Sequence, residues 1–388
     1  MLLINAALVP VESPRIDNGY IRILDQKIAA FGPMPAPNPD EGEEVLDLCG
    51  LTAYPGFVDG HCHIGMFADG LGFEGDDGNE ETDPVTPHLR AIDAVNPMDR
   101  CFQEALEQGI TTVVTGPGSA NPIAGQFCAM KTFGRRVDDM VIREPVAMKF
   151  ALGENPKTVY NDKNQTPNTR MATAALIREE LHKAQRYGED LEAAQEDEDA
   201  DEPDFDAKCE ALLPLLAGEI KAHIHAHRAD DIFTALRFSK EFGLAPVLVH
   251  CTEGHLAADI LGEEKASAIC GPLIGSRCKP ELVHASLANP AILSQNGVEV
   301  SICTDHPELP IQFLGISAGL AVREGMDYDK ALAAVTIVPA RQAGVDSRVG
   351  SIQVGKDADL AFFDCDPLSL TAKPKLVLVD GKIVFSKM

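Results

Sequence analysis

Eleven histidines are spread through the 388-residue chain, and two stand together in Pro55-Gly56-Phe57-Val58-Asp59-Gly60-His61-Cys62-His63. The apolar run reads as a short buried strand, and because strand side chains alternate faces, His61 and His63 project to the same side. Two imidazoles converging on one point suit a metal ion, although histidine also serves as an ordinary core or loop residue. Further ligand-type groups, Lys149, His225, His250 and Asp305, stand where later strand-like runs end. Imidazoles and carboxylates are the ligands of zinc and comparable divalent ions, and one or two ions would need about this many groups. Taken singly each signal is weak, since a carboxylate after a strand is commonly a helix cap. Jointly they point to metal-assisted chemistry.

The elements that must carry these residues alternate between strand-like and helical runs from about residue 54 to 345, which predicts a parallel sheet with crossover helices. A middle segment of this size fits an α/β fold of the (β/α)8 TIM-like barrel type, in which all strand C-termini open onto one face and distant residues converge. The strand ending at His61-Cys62-His63 comes first, and a Gly- and acid-rich loop over 64–96 follows it. The second strand is Thr111–Thr115, and the third is placed around Phe127–Phe133. The fourth, Pro145–Leu152, carries Lys149; the fifth, Ala222–His227, carries His223, His225 and His227 on one face. Pro246–His250 is the sixth, Gly271–Gly275 the seventh and Val298–Asp305 the eighth. Residues 1–53 and 346–388 are instead rich in short β runs and turn residues, including Asp380-Gly381 between two apolar runs, a hairpin signal. Both ends are therefore expected to build one small β-sandwich, the alternative being that each end decorates the barrel separately.

Lys and Arg number 33 against 60 Asp and Glu, a net charge of −27, which opposes binding to nucleic acid or an anionic membrane and favours a small-molecule substrate. Eleven of the acidic residues lie between Glu189 and Asp206 with no basic one among them. Like charges repel, so the stretch at about 188–206 reads as a solvated surface insertion. The ten cysteines include no CxxC pair, the apolar start of the chain lacks a basic leader, and no apolar run is long enough to span a bilayer. A cytoplasmic protein with reduced thiols, and a possible homo-oligomer, is the expectation.

The His-x-His ending strand one, a Lys on strand four, His on strands five and six, and Thr304-Asp305 on strand eight resemble the amidohydrolase superfamily. Its imidazolonepropionase-like and prolidase-like members are the most similar. Ala53–Asp59 before the His-x-His and Gly355-Lys356-Asp357-Ala358-Asp359-Leu360 near the C-terminus extend the resemblance over nearly the whole chain. It implies a distorted barrel with a terminal β-sandwich, His61, His63 and Asp305 on a first metal, and His225 and His250 on a second. Lys149 in Met148-Lys149-Phe150-Ala151-Leu152-Gly153 is similar to a lysine that is carbamylated and bridges both ions. Burial near cations disfavours an ammonium and makes such a modification physically reasonable. The alternative is a lysine that snorkels or pairs with Glu154, which would leave a mononuclear site. On strand five His225 is the preferred ligand, with His223 a layer deeper and His227 in the loop, where it could touch substrate or orient a ligand. Asp59 shares the inward face of His61 and could orient it. Arg228, His255 and Arg277, in or beside strand-end loops, are candidate substrate contacts.

The activity implied is metal-dependent hydrolysis of a carbon–nitrogen bond in a cyclic or peptide-like amide, with Asp305 as general base and acid. Zinc is the expected ion, with iron or manganese as alternatives. Deamination, lactone or ester hydrolysis by the same fold, and a non-catalytic barrel scaffold, are the competing readings.

Overall fold

Along Ile16–Leu24 buried residues alternate with half-exposed ones, the signature of a strand with one covered face. In the computed structural model, which describes residues 1–68, 72–197 and 201–388, this strand belongs to a sheet drawn from both ends of the chain. The N-terminal part supplies β1 (Leu2–Leu8), β2 (Ile16–Leu24), β3 (Lys27–Pro33), β4 (Val45–Asp47) and β5 (Thr52–Pro55). The C-terminal part supplies β14 (Leu360–Phe363), β15 (Leu376–Val379) and β16 (Lys382–Ser386). Their order is β16-β15-β14-β5-β1-β2-β3, and β5 and β14, paired antiparallel, join the two ends. Asp380 and Gly381, both at positive φ, make the expected two-residue turn between β15 and β16. The first half of β1 pairs with β4 and its second half with β5. The terminal strands therefore form one continuous hydrogen-bonded sheet. Leu3, Leu8, Ile21, Ile28, Leu360, Phe362 and Leu376 pack together as its core.

The middle of the chain forms a nearly closed eight-stranded barrel whose strands follow one another in chain order. They are β6 (Phe57–Cys62), β7 (Ile110–Thr115), β8 (Ile123–Lys131), β9 (Val141–Ala151), β10 (Lys221–Ala226), β11 (Pro246–His250), β12 (Ser267–Cys270) and β13 (Glu299–Ile302). Every residue of β6 and β7 is buried, as strands covered on both faces require. The barrel departs from the all-parallel expectation at β8, which runs antiparallel to both β7 and β9. A parallel crossover takes about a dozen residues, usually helical, and the short links from Thr115 to Ile123 and from Lys131 to Val141 leave no room for one. The seventh strand also lies earlier than expected. Ser267–Cys270 pairs with β11 and β13, whereas Gly271–Gly275 is loop. Pro272 has no N–H to give to a ladder, and Gly271 at φ 148° turns the chain away.

Between β6 and β13 no ladder forms among the described residues, and the seam is closed by a few specific bonds. The Asp305 N–H donates to the His61 carbonyl (3.1 Å), the His63 N–H donates to the His306 carbonyl (2.8 Å), and the Thr304 N–H donates to Asp59 Oδ2 (3.2 Å).

Helices cover the outside. Arg170–Glu196 is one helix that runs on into the acidic stretch, so the first part of that stretch is ordered and mostly exposed. Its far end is structured too, because Asp206 caps the helix Ala207–Leu216 and pairs with Lys183 at 2.6 Å. Residues 198–200 of the stretch lie outside the described residues. Where the barrel meets the terminal sheet, Lys131 at the end of β8 is buried against Asp357 (2.8 Å), Asp359 and Asp380 (3.2 Å). Most cysteines are buried free thiols. Among the described residues no helix is long and apolar enough to cross a membrane.

Candidate active site

The mouth at the C-terminal ends of the barrel strands is built from β6 outward. Inward alternation puts Asp59 and His61 on one face, both fully buried. Asp59 Oδ1 accepts the His61 N–H (3.2 Å), and its other oxygen accepts the Thr304 N–H and hydroxyl. It thus ties β6 to the segment carrying Asp305. Burial pushes the Asp59 carboxyl up to about 7, although the bonds from Thr304 and His61 act against this. Just past β6, the His63 ring donates from Nδ1 to the Gly116 carbonyl (2.6 Å) and so turns Nε2 inward.

Asp305 follows β13 in a left-handed conformation, φ 56°. Its Oδ1 lies 3.3 Å from His63 Nε2 and 3.5 Å from His61 Nε2. Burial alone would oppose its ionisation, but His250, His63 and Lys149 together outweigh it and hold the carboxyl down at about 2. Lys149, reaching in from β9, is fully buried, and its Nζ sits 3.1 Å from His61 Nε2. Desolvation lowers its pKa to about 8, with Asp305 pulling the other way. Among the described residues it makes no ion pair with Glu154, whose backbone N–H donates to Glu281 Oε2.

His250 ends β11 and donates from Nδ1 to the Gly271 carbonyl (2.7 Å). Its ring stands 4.6 Å from that of His225 and stacks on His227 at 4.7 Å. On β10, His225 Nδ1 meets the Ser119 hydroxyl at 3.0 Å and His227 Nδ1 meets the Thr252 hydroxyl at 2.7 Å. His223 lies a layer deeper, fully buried with its ring 5.6 Å from Phe127, and neither ring nitrogen has a hydrogen-bond partner among the described residues. Burial lowers the pKa of His61, His225, His227 and His250, which keeps these imidazoles neutral, the form that binds metals.

These donors suit a divalent ion. One atom each from His61, His250 and Asp305 lie within 4.8 Å of one another, and so do atoms of His225, His227 and His250. Among the described residues, the buried Nε2 of His225 has no hydrogen-bond partner, which leaves its lone pair free for an ion. His227, expected in a substrate-contacting or orienting part, thus stands among potential ligands.

His63, His225, His227, His250 and Asp305 line a cavity of about 1400 Å³ at this mouth, and Arg277 lines its outer part. The other two rim candidates are not brought in. Arg228 is exposed and pairs with Asp230 at 2.8 Å, and His255 turns Nδ1 to the Thr252 carbonyl at 3.2 Å. Sequence reasoning missed Ser119 and Glu281. Ser119 follows a Gly-Pro-Gly turn, and Glu281 lies in the long connection after β12, so neither sits at a strand end.

Residues 52–384 match the model of the Amidohydrolase family. A crystal structure of an amidohydrolase from Thermotoga maritima MSB8 is 38% identical, superposes with a TM-score of 0.94, and each chain is covered completely. Amidohydrolase tasK of Hapsidospora irregularis is 30% identical over 95% of this chain, which spans 39% of that protein's length. A prolidase complexed with N-methylphosphonate-L-proline shares the fold, with 17% identity, a TM-score of 0.59, and coverage of 100% of this chain and 99% of that one. From its first barrel strand to its last terminal strand, the chain belongs to the amidohydrolase family.

Proposed function

We propose that this chain is a metal-dependent hydrolase that cleaves the carbon–nitrogen bond of a cyclic or peptide-like amide. The observation that carries the reading is the placement of an ionised, buried Asp305 within 3.3 Å and 3.5 Å of two imidazoles, at the floor of an open cavity. His61, His63 and Asp305 would hold one ion and His225 and His250 a second, with Lys149 as a carbamylated bridge between them. Zinc fits these donors best, and iron or manganese are alternatives. A divalent ion in such a site supplies Lewis acidity to a carbonyl and lowers the pKa of water.

The protein's own part in the reaction is positional and protonic. Asp305 is held as a carboxylate on a segment pinned to β6, so it can accept a proton from the attacking water and return it to the leaving nitrogen. Carbon gains the water oxygen, the carbon–nitrogen bond breaks, and the amine leaves neutral. His63 and His250 are fixed through Nδ1 by backbone carbonyls, so each presents its Nε2 lone pair to the mouth. Arg277 is suited to meet an anionic group of a small-molecule substrate at the rim.

The test combines metal analysis with a turnover screen over cyclic amides, N-acyl amino acids, dipeptides, lactones and aminated heterocycles. Amide turnover that disappears together with the ion held by His61 and His63 in His61→Ala/His63→Ala is the expected result. Full metal content in that double variant would refute the assignment, and turnover confined to aminated rings or lactones would move it to deamination or ester cleavage.

A further inference from the structure

Glu281 stands in the one-turn helix Pro280–Leu282 on the connection that follows β12, and it is only 2% exposed. One of its oxygens is anchored, since Oε2 accepts the Glu154 N–H at 3.0 Å. The approach is made possible by Gly153, at φ 82°, where an added Cβ would come within 2.8 Å of that same oxygen. The other oxygen faces the β10 histidines. Oε1 lies 3.7 Å from His227 Nε2 and 4.0 Å from His225 Nε2. Neither Oε1 nor His225 Nε2 has a hydrogen-bond partner among the described residues.

These separations are too long for direct hydrogen bonds, and a buried carboxylate oxygen without a partner is costly. Lys279, whose charge acts on Glu281 from a distance, donates its hydrogen bond to Asn155 at 3.0 Å. Donors arranged tetrahedrally around an ion with bonds of about 2.0–2.1 Å stand about 3.4 Å apart. The gaps between Glu281 and the two imidazoles therefore close with shifts of a few tenths of an ångström.

We propose that Glu281 is a metal ligand, its Oε1 completing with His225 and His227 a donor set on the β10 side of the mouth. The inference rests on the metal-dependent reading above and changes the second position of that reading. His227 becomes a ligand there, and a loop carboxylate joins ligands that otherwise come from strand ends.

The experiment uses the full chain, stripped with a chelator and titrated separately with zinc and with cobalt(II). Stoichiometry is read by elemental analysis, affinity by competition with a chromophoric chelator, and ligand field by the visible cobalt spectrum. Glu281→Gln keeps a carbonyl for the Glu154 N–H but can turn only an amide nitrogen towards the histidines, and Glu281→Ala removes the group altogether. Both are expected to lose one bound ion or to bind it at least about tenfold more weakly, with an altered cobalt spectrum, and Glu281→Gln, which keeps the bond from the Glu154 N–H, with an unchanged metal-free melting temperature. The His61→Ala/His63→Ala protein should retain the Glu281-dependent ion. A folded Glu281→Gln protein with wild-type stoichiometry, affinity and cobalt spectrum overturns the proposal. If the wild-type chain binds metal that the double histidine variant loses, while the Glu281 variants bind as wild type, this inference fails alone. A wild-type chain that takes up neither metal overturns both readings.

Discussion

Asp305 combines a left-handed backbone with contacts to two imidazoles, and that combination makes its role separable from its place in the fold. Asparagine tolerates positive φ nearly as well as aspartate does, so Asp305→Asn should fold and keep the seam bond from its N–H to His61. It cannot accept a proton. Hydrolysis is expected to fall by about 10²–10⁴-fold, the usual loss on removing a general acid–base group, while melting temperature stays close to wild type and metal content falls much less than turnover. Near-normal turnover with metal bound would show that the carboxylate is only structural. His61, His63, His250, Lys149 and Asp305 were legible in the sequence because strand periodicity and strand ends fix where such residues point. Glu281 was not, because its position follows from a loop path and from the space left at Gly153. Arg228 and His255 were drawn in by their nearness to site strands along the chain, but Asp230 and the Thr252 carbonyl hold them elsewhere.

At the scale of elements, hydrophobic runs revealed where strands lie but not always their direction or limits. The apolar stretch containing Phe127 reads as a strand, and only the shortness of the links on either side forces it antiparallel. The seventh strand was displaced because Gly271–Gly275 looks as apolar as Ser267–Cys270, and a proline decides between them. That junction matters for the site, since the Gly271 carbonyl orients His250. A Cβ on Gly271 would lie 2.3 Å from the Cys303 carbonyl oxygen, on the segment leading to Asp305. Gly271→Ala should therefore destabilise the protein by about 1–3 kcal/mol through steric and backbone strain, and weaken metal binding by displacing His250. Denaturant titration and metal competition measure the two effects. Wild-type metal affinity in that variant would mean that His250 does not depend on its carbonyl anchor.

Across the whole molecule, the joining of the two chain ends was legible in their shared texture of short strands and turns, whereas the charges that bind the sheet to the barrel were not. Asp357 and Asp359 are nearly inaccessible and share Lys131. Asp357 also pairs with Lys27 and Arg348, so Lys131→Met should cost about 3–5 kcal/mol chiefly by leaving the buried Asp359 without its cation. Adding Asp359→Asn should recover part of the loss, and a Lys131→Met protein as stable as wild type would indicate that Lys131 contributes little. The barrel seam has a different consequence. Asp59 and Thr304 are 245 residues apart in sequence, and the bonds that close β6 onto the segment after β13 are few. An ion shared by His61, His63 and Asp305 would act as a removable cross-link between the first and last staves, adding its binding free energy to closure of a very long loop. Metal supply would then govern the mechanical continuity of the fold as well as its chemistry. In hydrogen–deuterium exchange, the amides of Phe57–Cys62 and Glu299–Ile302 should lose protection first when metal is withdrawn, while the terminal sheet keeps its own.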